Sequence, residues 1–396
     1  MNFNIPSDVL YILRRLEAAG YQADIVGGSV RDLLLGRSPD DYDITTSATP
    51  DEMKKVFADI RTIDTGIKHG TVGILIDGRV YETTTYRVDG EYVDSRHPES
   101  VSFTRKIEED LARRDFTVNA MAYNPARGLT DPFDGQNDLK CGIIRAVGDP
   151  MLRFSEDALR ILRGIRFSAT FGFEIEKVTS DALCEKAMLL SNVSSERIYV
   201  ELRKTVAAPY AYAVLNKYSE VILGVIPRLE KLSLPDENRF NDADYLSRVL
   251  AIFCLSSENP TDDFDLFARS LKTDGGFRRL GCSVLSAVGK CDLTNRRSLT
   301  MALRDLGEEA ARSLIGLEIT LGHTCDMALF EELLSADVCY RISDLTVGGA
   351  EMKALGLVGA EIGSTLDLLL TAVIEGRVEN SREKLIEFVK TIVRNK

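Results

Sequence analysis

A chain of 396 residues, 44% hydrophobic and 28% charged, has the composition of a folded protein of two or three domains at ~150 residues each, which excludes a disordered, collagenous or fibrous chain. The net charge of -12 argues against a nucleic-acid partner unless Lys and Arg are gathered locally, because phosphate binding needs cations. Seven scattered cysteines without a CxxC pair argue against a disulfide framework and a structural zinc site, and three histidines (His69, His97, His323) leave little material for histidine chemistry.

The first ~145 residues carry the strand signals. Ala23 to Val26 is a short, mostly apolar run entering Gly27-Gly28, and Val30 to Leu35 reads as a helix. Asp51 to Phe57 reads as a second helix, with Pro50 at its start and Thr49 as its cap. Val72 to Ile76 and Val80 to Thr85 flank Asp77-Gly78, a strong hairpin signal. Tyr86 to Arg96 is polar and contains glycine, the texture of a mobile loop. After Asp149-Pro150 the pattern turns helical: Glu156 to Ser168, Ser180 to Leu190, Glu196 to Val206, then a long series to Lys390. Breaks fall at Ser233 to Asp244 and Ser256 to Asp265. No apolar run approaches the ~18 residues of a membrane span, and the start MNFNIPSDVL lacks a charged and then apolar leader, so a cytoplasmic protein with no membrane partner is expected.

The chemistry concentrates in two places. The strand entering Gly27-Gly28 and then a helix would present backbone N–H groups to a phosphate at Gly28, with Arg31 one turn further in. A dozen residues later come Asp41 and Asp43, which at i and i+2 on a strand share a face and repel unless a cation lies between them. Hard oxygen ligands of this kind suit Mg²⁺, which takes its remaining ligands from water and substrate phosphates. Phosphate plus metal means phosphoryl or nucleotidyl transfer. Glu82 reads equally as a further site carboxylate or as a strand-edge charge.

The second place is Ser155 to Phe167, read as a helix capped by Ser155. At 100° per residue, placing Asp157 at zero puts Arg160, Arg163 and Arg166 on one side and Ala158, Ile161, Leu162 and Ile165 on the other. An Asp beside an Arg offers an acceptor next to a donor. Cytosine and adenine show the complementary amino donor and ring-nitrogen acceptor; guanine and uracil show the reverse and would leave groups unpaired. The simpler alternative is an i,i+3 salt bridge on a solvated helix.

These motifs resemble those of the tRNA nucleotidyltransferase/poly(A) polymerase family, bacterial type. The resemblance is carried by Gly27 to Gly36 (GGSVRDLLLG), Asp41 to Pro50 (DYDITTSATP), Arg113 to Ala120 (RRDFTVNA), Asp131 to Gly135 (DPFDG), Ile144 to Gly148, Arg153-Phe154 and Glu156 to Arg160 (EDALR). Gly356 to Gly363 and Asn380 fit the family's tail. It implies an α+β fold: a nucleotidyltransferase (polymerase-β-like) head with a mixed sheet over 1–147, then an all-α neck at 148–208, body at 209–325 and tail at 326–396. It also implies addition of C, C and A to the 3′ end of tRNA, with CTP and ATP as substrates, Mg²⁺ on Asp41 and Asp43, and Asp157 and Arg160 as the base-selecting pair. Arg163, Arg166 and Arg114 would contact the nucleotide, while Asp115 would hold an arginine in place. The family is often dimeric, so a homodimer belongs among the implied partners.

A poly(A) polymerase is the nearest alternative, disfavoured by the modest length and the absence of a basic terminal extension. In the family a loop at residues 86–96 is present in enzymes that add the final A, which disfavours a CC-only enzyme; A-only addition stays open. His97 stands where many relatives have an arginine.

Overall fold

Asp77 and Gly78 both have positive φ, 47° and 81°, the conformation a two-residue hairpin turn demands, and they join two of the longest strands of the main sheet. The structure is a computed structural model that describes residues 3–90, 101–336 and 338–394. The chain divides into two compact units, Met1–Ile226 and Pro227–Lys396, a coarser division than the four segments expected from the sequence.

The first unit is α+β. Its strands are β1 (Ala23–Val26), β2 (Ile44–Thr46), β3 (Thr62–Gly66), β4 (Thr71–Ile76), β5 (Arg79–Thr85), β6 (Arg87–Asp89), β7 (Val101–Phe103), β8 (Ala122–Asn124) and β9 (Gly128–Thr130), with a short parallel pair, β10 (Ile143–Ile144) and β11 (Glu174–Ile175). Seven form one mixed sheet in the order β3-β4-β5-β2-β1-β8-β9, in which β2 and β5 run parallel and every other pair is antiparallel. All four residues of β1 are buried. Its one charge, Asp24, accepts from the Tyr86 hydroxyl at 2.7 Å and pairs with Arg127 at 2.8 Å.

Around the sheet lie α1 (Ser7–Ala18), α2 (Gly28–Leu34), α3 (Pro50–Val56), α4 (Ile107–Ala112) and α5 (Gly135–Cys141). At α3, Thr49 and Glu52 form a reciprocal capping box with Pro50 in the first turn, as the sequence led one to expect. The helical continuation is α6 (Pro150–Glu156), α7 (Leu159–Phe171), α8 (Lys177–Glu185), α9 (Ser195–Ala207), α10 (Ala211–Lys217) and α11 (Ser219–Leu223).

The second unit, described by itself, is helical: α12 (Glu237–Asp242), α13 (Tyr245–Ser256), α14 (Pro260–Ser270), α15 (Gly275–Ala287), α16 (Arg296–Leu306), α17 (Glu308–Leu321), α18 (Met327–Ser335), α19 (Gly349–Ala354), α20 (Ala360–Ile374) and α21 (Arg382–Arg394). Phe253, Phe264, Phe267 and Phe277 pack together in its core with ring centroids 5.2–6.1 Å apart. A separate apolar cluster holds Leu345, Met352, Leu369 and Leu385. Among the described residues no helix is long and apolar enough to cross a membrane.

Four sequence expectations need correction. The helix read from Ser155 is two helices. Asp149 caps α6 by accepting from Met151 N–H at 2.9 Å, and Pro150 starts that helix earlier than expected. The chain then extends at Asp157 (φ -137°, ψ 101°), whose carboxylate accepts from Leu159 N–H at 3.1 Å as α7 begins. Ser155 lies inside α6 and donates to the Met151 carbonyl at 2.8 Å, so it is no cap. The apolar pattern runs on across the break, which hides it from a periodicity argument.

Asp41 and Asp43 precede β2 rather than lying on it, although Val26 N–H donates to the Asp43 carbonyl at 3.0 Å and carries the pairing one residue further. The helix expected over Ser180 to Leu190 ends at Glu185, followed by a 3₁₀ turn over Ala187–Asn192. Tyr86 is fully buried rather than part of a loop, and Arg87–Asp89 pairs with Val101–Phe103. Residues 91–96 of the expected loop, like His97, lie outside the described residues.

Candidate active site

β1 delivers the chain into Gly27, whose φ of 72° suits glycine. A Cβ there would stand 2.8 Å from Arg114 Nη1, so only glycine lets that guanidinium lie against the backbone. Gly28 opens α2, and the Ser29 hydroxyl at its head donates to the Asp41 carbonyl at 2.9 Å while accepting from Asp43 N–H at 3.2 Å. This one side chain ties the acidic segment to α2. Both Asp41 and Asp43 are exposed. The parallel pairing of Ile44 with Thr83 brings the exposed Glu82 beside Asp43 in register.

The Asp43 carboxyl has an open edge but is crowded by protein on its other sides. Loss of water pushes its pKa up, the nearby Arg114 opposes that, and the charge of Asp41 adds to it. Arg114 is drawn down by burial and supported by Asp110, its ion-pair partner at 3.5 Å. Asp110 is itself fully buried, and also takes Arg113 at 2.9 Å and the Arg87 N–H at 3.3 Å. Among the described residues no group of three or more His, Cys, Asp and Glu side chains could hold a metal. The donor set that remains, two exposed carboxylates with no nitrogen or sulfur, matches a hard cation completed by water and substrate oxygens.

Arg31 lies inside the fold, 9% exposed. Nη1 donates to Asn119 Oδ1 at 2.7 Å, Asp32 pairs with it at 2.9 Å, and its guanidinium sits 5.4 Å and 4.7 Å from the ring centres of Phe167 and Phe171 on α7. Asn119 donates in turn to Asp115 Oδ1 at 3.1 Å, and Asp115 Oδ2 pairs with Arg163 at 2.7 Å. Burial pushes the Asp115 carboxyl up, but the Arg163 charge, hydrogen bonds from Arg163 and Asn119, and the Arg160 charge outweigh it and hold the group down at about 2. A continuous polar chain thus runs from α2 to α7.

At the junction of α6 and α7, Asp157 and Arg160 do not pair with each other. Asp157 takes Arg197 of α9 at 3.1 Å. Arg160, 8% exposed, pairs with Glu156 at 2.9 Å and donates to the carbonyls of Arg113 and Arg153 at 2.9 and 3.3 Å. Three of its five donors are thereby used. Further along α7, Arg163 is engaged by Asp115 and Arg166 by the buried Glu201 at 2.6 Å. Gly28, Arg31, Arg114, Asp41 and Asp43 therefore gather around one end of β1, while Asp157 and Arg160 share the helix junction.

Sequence reasoning missed Ser29, Asp110, Asn119 and Arg197 as the residues that hold these groups. Only Ser29 and Asn119 carried a local signal, lying within the quoted motifs. Arg197 is 40 residues from Asp157, and nothing local announces it.

The sequence matches the family described as "Poly A polymerase head domain" over residues 23–145, the one described as "Probable RNA and SrmB-binding site of polymerase A" over 172–223, and one for tRNA nucleotidyltransferase domain 2 over 246–389. It is 38% identical over 408 residues to the CCA-adding enzyme of Streptococcus suis, covering 99% of both chains. It is 36% identical over 409 residues to that of Streptococcus mutans, covering 98% of both. The fold is similar to the crystal structure of the Bacillus stearothermophilus CCA-adding enzyme in complex with CTP, with TM-score 0.80, 31% identity and 98% of each chain covered. The Thermotoga maritima CCA-adding enzyme complexed with tRNA shares the fold at TM-score 0.72 and 20% identity, over 98% of this chain and 96% of that one.

Proposed function

The chain belongs to the family of CCA-adding enzymes, the tRNA nucleotidyltransferases, and on that premise we propose that it adds C, C and A in turn to the 3′ end of tRNA without a nucleic-acid template, using CTP and ATP and releasing pyrophosphate. The observation that carries the selective part of this reading is the α6–α7 junction. Asp157 and Arg160 stand together yet are each pinned by a third residue. The simple salt bridge between them is absent, and both keep unused hydrogen-bonding positions for a base edge. Donor and acceptor side by side accept C and A and leave G and U unpaired.

Asp41 and Asp43 are the residues that would hold Mg²⁺. Bound there, the ion would neutralise triphosphate charge and acidify the terminal ribose hydroxyl. Gly28 presents backbone to the phosphates, and Arg31 and Arg114 place positive charge beside them, each held in one orientation by Asp32 and Asn119 or by Asp110. Arg163 and Arg166, further along α7, would reach the nucleotide through the donors that Asp115 and Glu201 leave free. Attack of the terminal hydroxyl oxygen on the α-phosphorus forms the new phosphodiester bond and expels pyrophosphate.

The direct test is incubation with Mg²⁺ and a tRNA lacking its 3′ CCA, with each nucleotide alone and then CTP with ATP, resolved to single additions. Two C residues and one A, followed by arrest, are expected. A ladder of A residues would make it a poly(A) polymerase; stopping after CC, or adding only A, would make it half of a divided pathway. In the same assay Asp157→Ala should lose ~10-fold or more of the preference for C and A over G and U, a discrimination typical of a pair of hydrogen bonds. Unchanged selectivity would remove the base-reading role.

The acidic overall charge is offset locally. Residues 269–304 of the second unit hold eight Lys and Arg against two Asp, and among the described residues Arg279 and Lys290 make no ion pair. Such a stretch supports backbone recognition of RNA by charge and shape. Affinity for tRNA should accordingly fall at least ~10-fold between 50 and 200 mM salt, measured by filter binding. Salt-insensitive binding would refute the basic surface.

A further inference from the structure

A nucleotide bound as proposed has its phosphates at α2 and its base at the start of α7, so the two elements must hold a constant spacing. The link between them is made of side chains. One attachment is the chain Arg31–Asn119–Asp115–Arg163, which reaches α7 in its first half. The second lies at the far end of α7. There the Phe171 ring has Arg31 Cζ 4.7 Å from its centre and Arg37 Cζ at 5.3 Å, both arginines coming from α2 and the turn just after it. Among the described residues Arg37 makes no ion pair, so the ring is what holds its guanidinium. Phe171 is in turn fixed by stacking with Phe167, centroids 6.0 Å apart at 14°, and by contact with Phe173 at 5.5 Å. Phe167 packs edge-on against Phe116 at 5.9 Å, an anchor in the rest of the first unit.

α7 also packs against α6, α9 and α10, and Arg31 reaches the Phe167 ring at 5.4 Å; the Phe171 contacts, eight residues beyond Arg163, add the longest lever on its direction relative to α2. From Arg163 back to Leu159, the first residue of α7, is ~6 Å of helix rise, so a tilt of ~10° about the first attachment would carry the head of α7 roughly 1 Å. Displacements of that size can cost ~100-fold in a positioned reaction. Guanidinium-over-ring contacts suit this task because the flat ring restricts the plane and height of the cation without tying up its donors.

We propose that Phe171 is a positioning residue: by holding Arg31 and Arg37 it sets the angle between α7 and α2, and hence the spacing between the phosphate end and the base end of the nucleotide site. This rests on the nucleotide assignment above, although the clamp itself can be observed without it. Asp157 and Arg160 ride on the same junction and move together, so loosening the clamp slows addition while leaving base choice intact.

The test compares the full chain with Phe171→Leu, which keeps apolar bulk but loses the ring, and Phe171→Tyr, which keeps the ring. In the ligand-free proteins, amide hydrogen exchange over residues 28–37 and 159–171 should quicken at least ~3-fold in Phe171→Leu and stay at the parent rate in Phe171→Tyr. On tRNA lacking CCA, Phe171→Leu should lose ~10-fold or more in kcat/KM for CTP and for ATP, chiefly in kcat, with its preference over GTP and UTP within ~2-fold of the parent. Phe171→Tyr should restore both readouts. Equal exchange in all three proteins, or a Phe171→Tyr as impaired as Phe171→Leu, would overturn the clamp. If the parent adds no nucleotide, the assignment above fails, and the exchange comparison still decides the clamp.

Discussion

Replacing either site carboxylate, as Asp41→Ala or Asp43→Asn, is expected to cut nucleotide addition by ~1,000-fold or more, a loss on the order of 4 kcal/mol of transition-state stabilisation. The exposed Asp40 on the same segment lies outside the i, i+2 pair, so a cation held by Asp41 and Asp43 would lose half of its protein ligands. Stability should move the other way. Loss of water and the charge of Asp41 push the Asp43 carboxyl up, so the fold holds that proton more tightly than the unfolded chain does. Ionisation of Asp43 near neutral pH therefore costs stability, and Asp43→Asn removes the cost. The expected result is a melting temperature equal to or above that of the parent, together with an inactive protein. Retained activity would dismiss the metal assignment, and a falling melting temperature would dismiss the account of the charge.

The second large effect is on folding. Asp115→Ala should destabilise the first unit by ~3–5 kcal/mol, the range seen when one member of a buried ion pair is removed. Asp115 is 8% exposed, and its two oxygens serve Arg163, Asn119 and the Phe116 N–H. Truncation strands a cation and two donors. The pH dependence follows from the depressed carboxyl. With a folded value of about 2 against the ordinary 3.8, the stabilisation is fully present above the unfolded value and is lost as pH falls from there through the folded one. Chemical denaturation at pH 7 and at pH 3 should thus show a smaller gap between parent and Asp115→Ala at the lower pH. A loss below ~1 kcal/mol at pH 7, or a gap that widens on acidification, would contradict it.

Much of the fold was legible because its signals are local. Asp77-Gly78 specifies a hairpin by what it permits at φ, and Thr49, Pro50 and Glu52 specify a helix start within four residues. The acidic pair and the Gly27-Gly28 turn are likewise short-range, so their chemistry could be named before their surroundings were known. The break at Asp157 escaped because a side chain that ends one helix and starts the next leaves the apolar period undisturbed. Arg160 N–H still donates to the Asp157 carbonyl at 3.0 Å, but the i,i+3 side-chain salt bridge weighed as the simpler alternative is not made, since Arg197 and Glu156 take the two groups.

By itself, the sequence determined an α+β head followed by helices and membership of a nucleotidyltransferase family, and it singled out the carboxylates and glycines proposed for the phosphates and the pair proposed for the base. Only the tertiary structure decided what holds those groups still. Arg31 meets Asn119 across 88 residues, Arg163 meets Asp115 across 48, and Asp157 meets Arg197 across 40. Such partners are chosen by which surfaces the packed sheet and helices bring together. Burial then makes each pairing obligatory, because a desolvated charge without its partner costs more than the fold can spare.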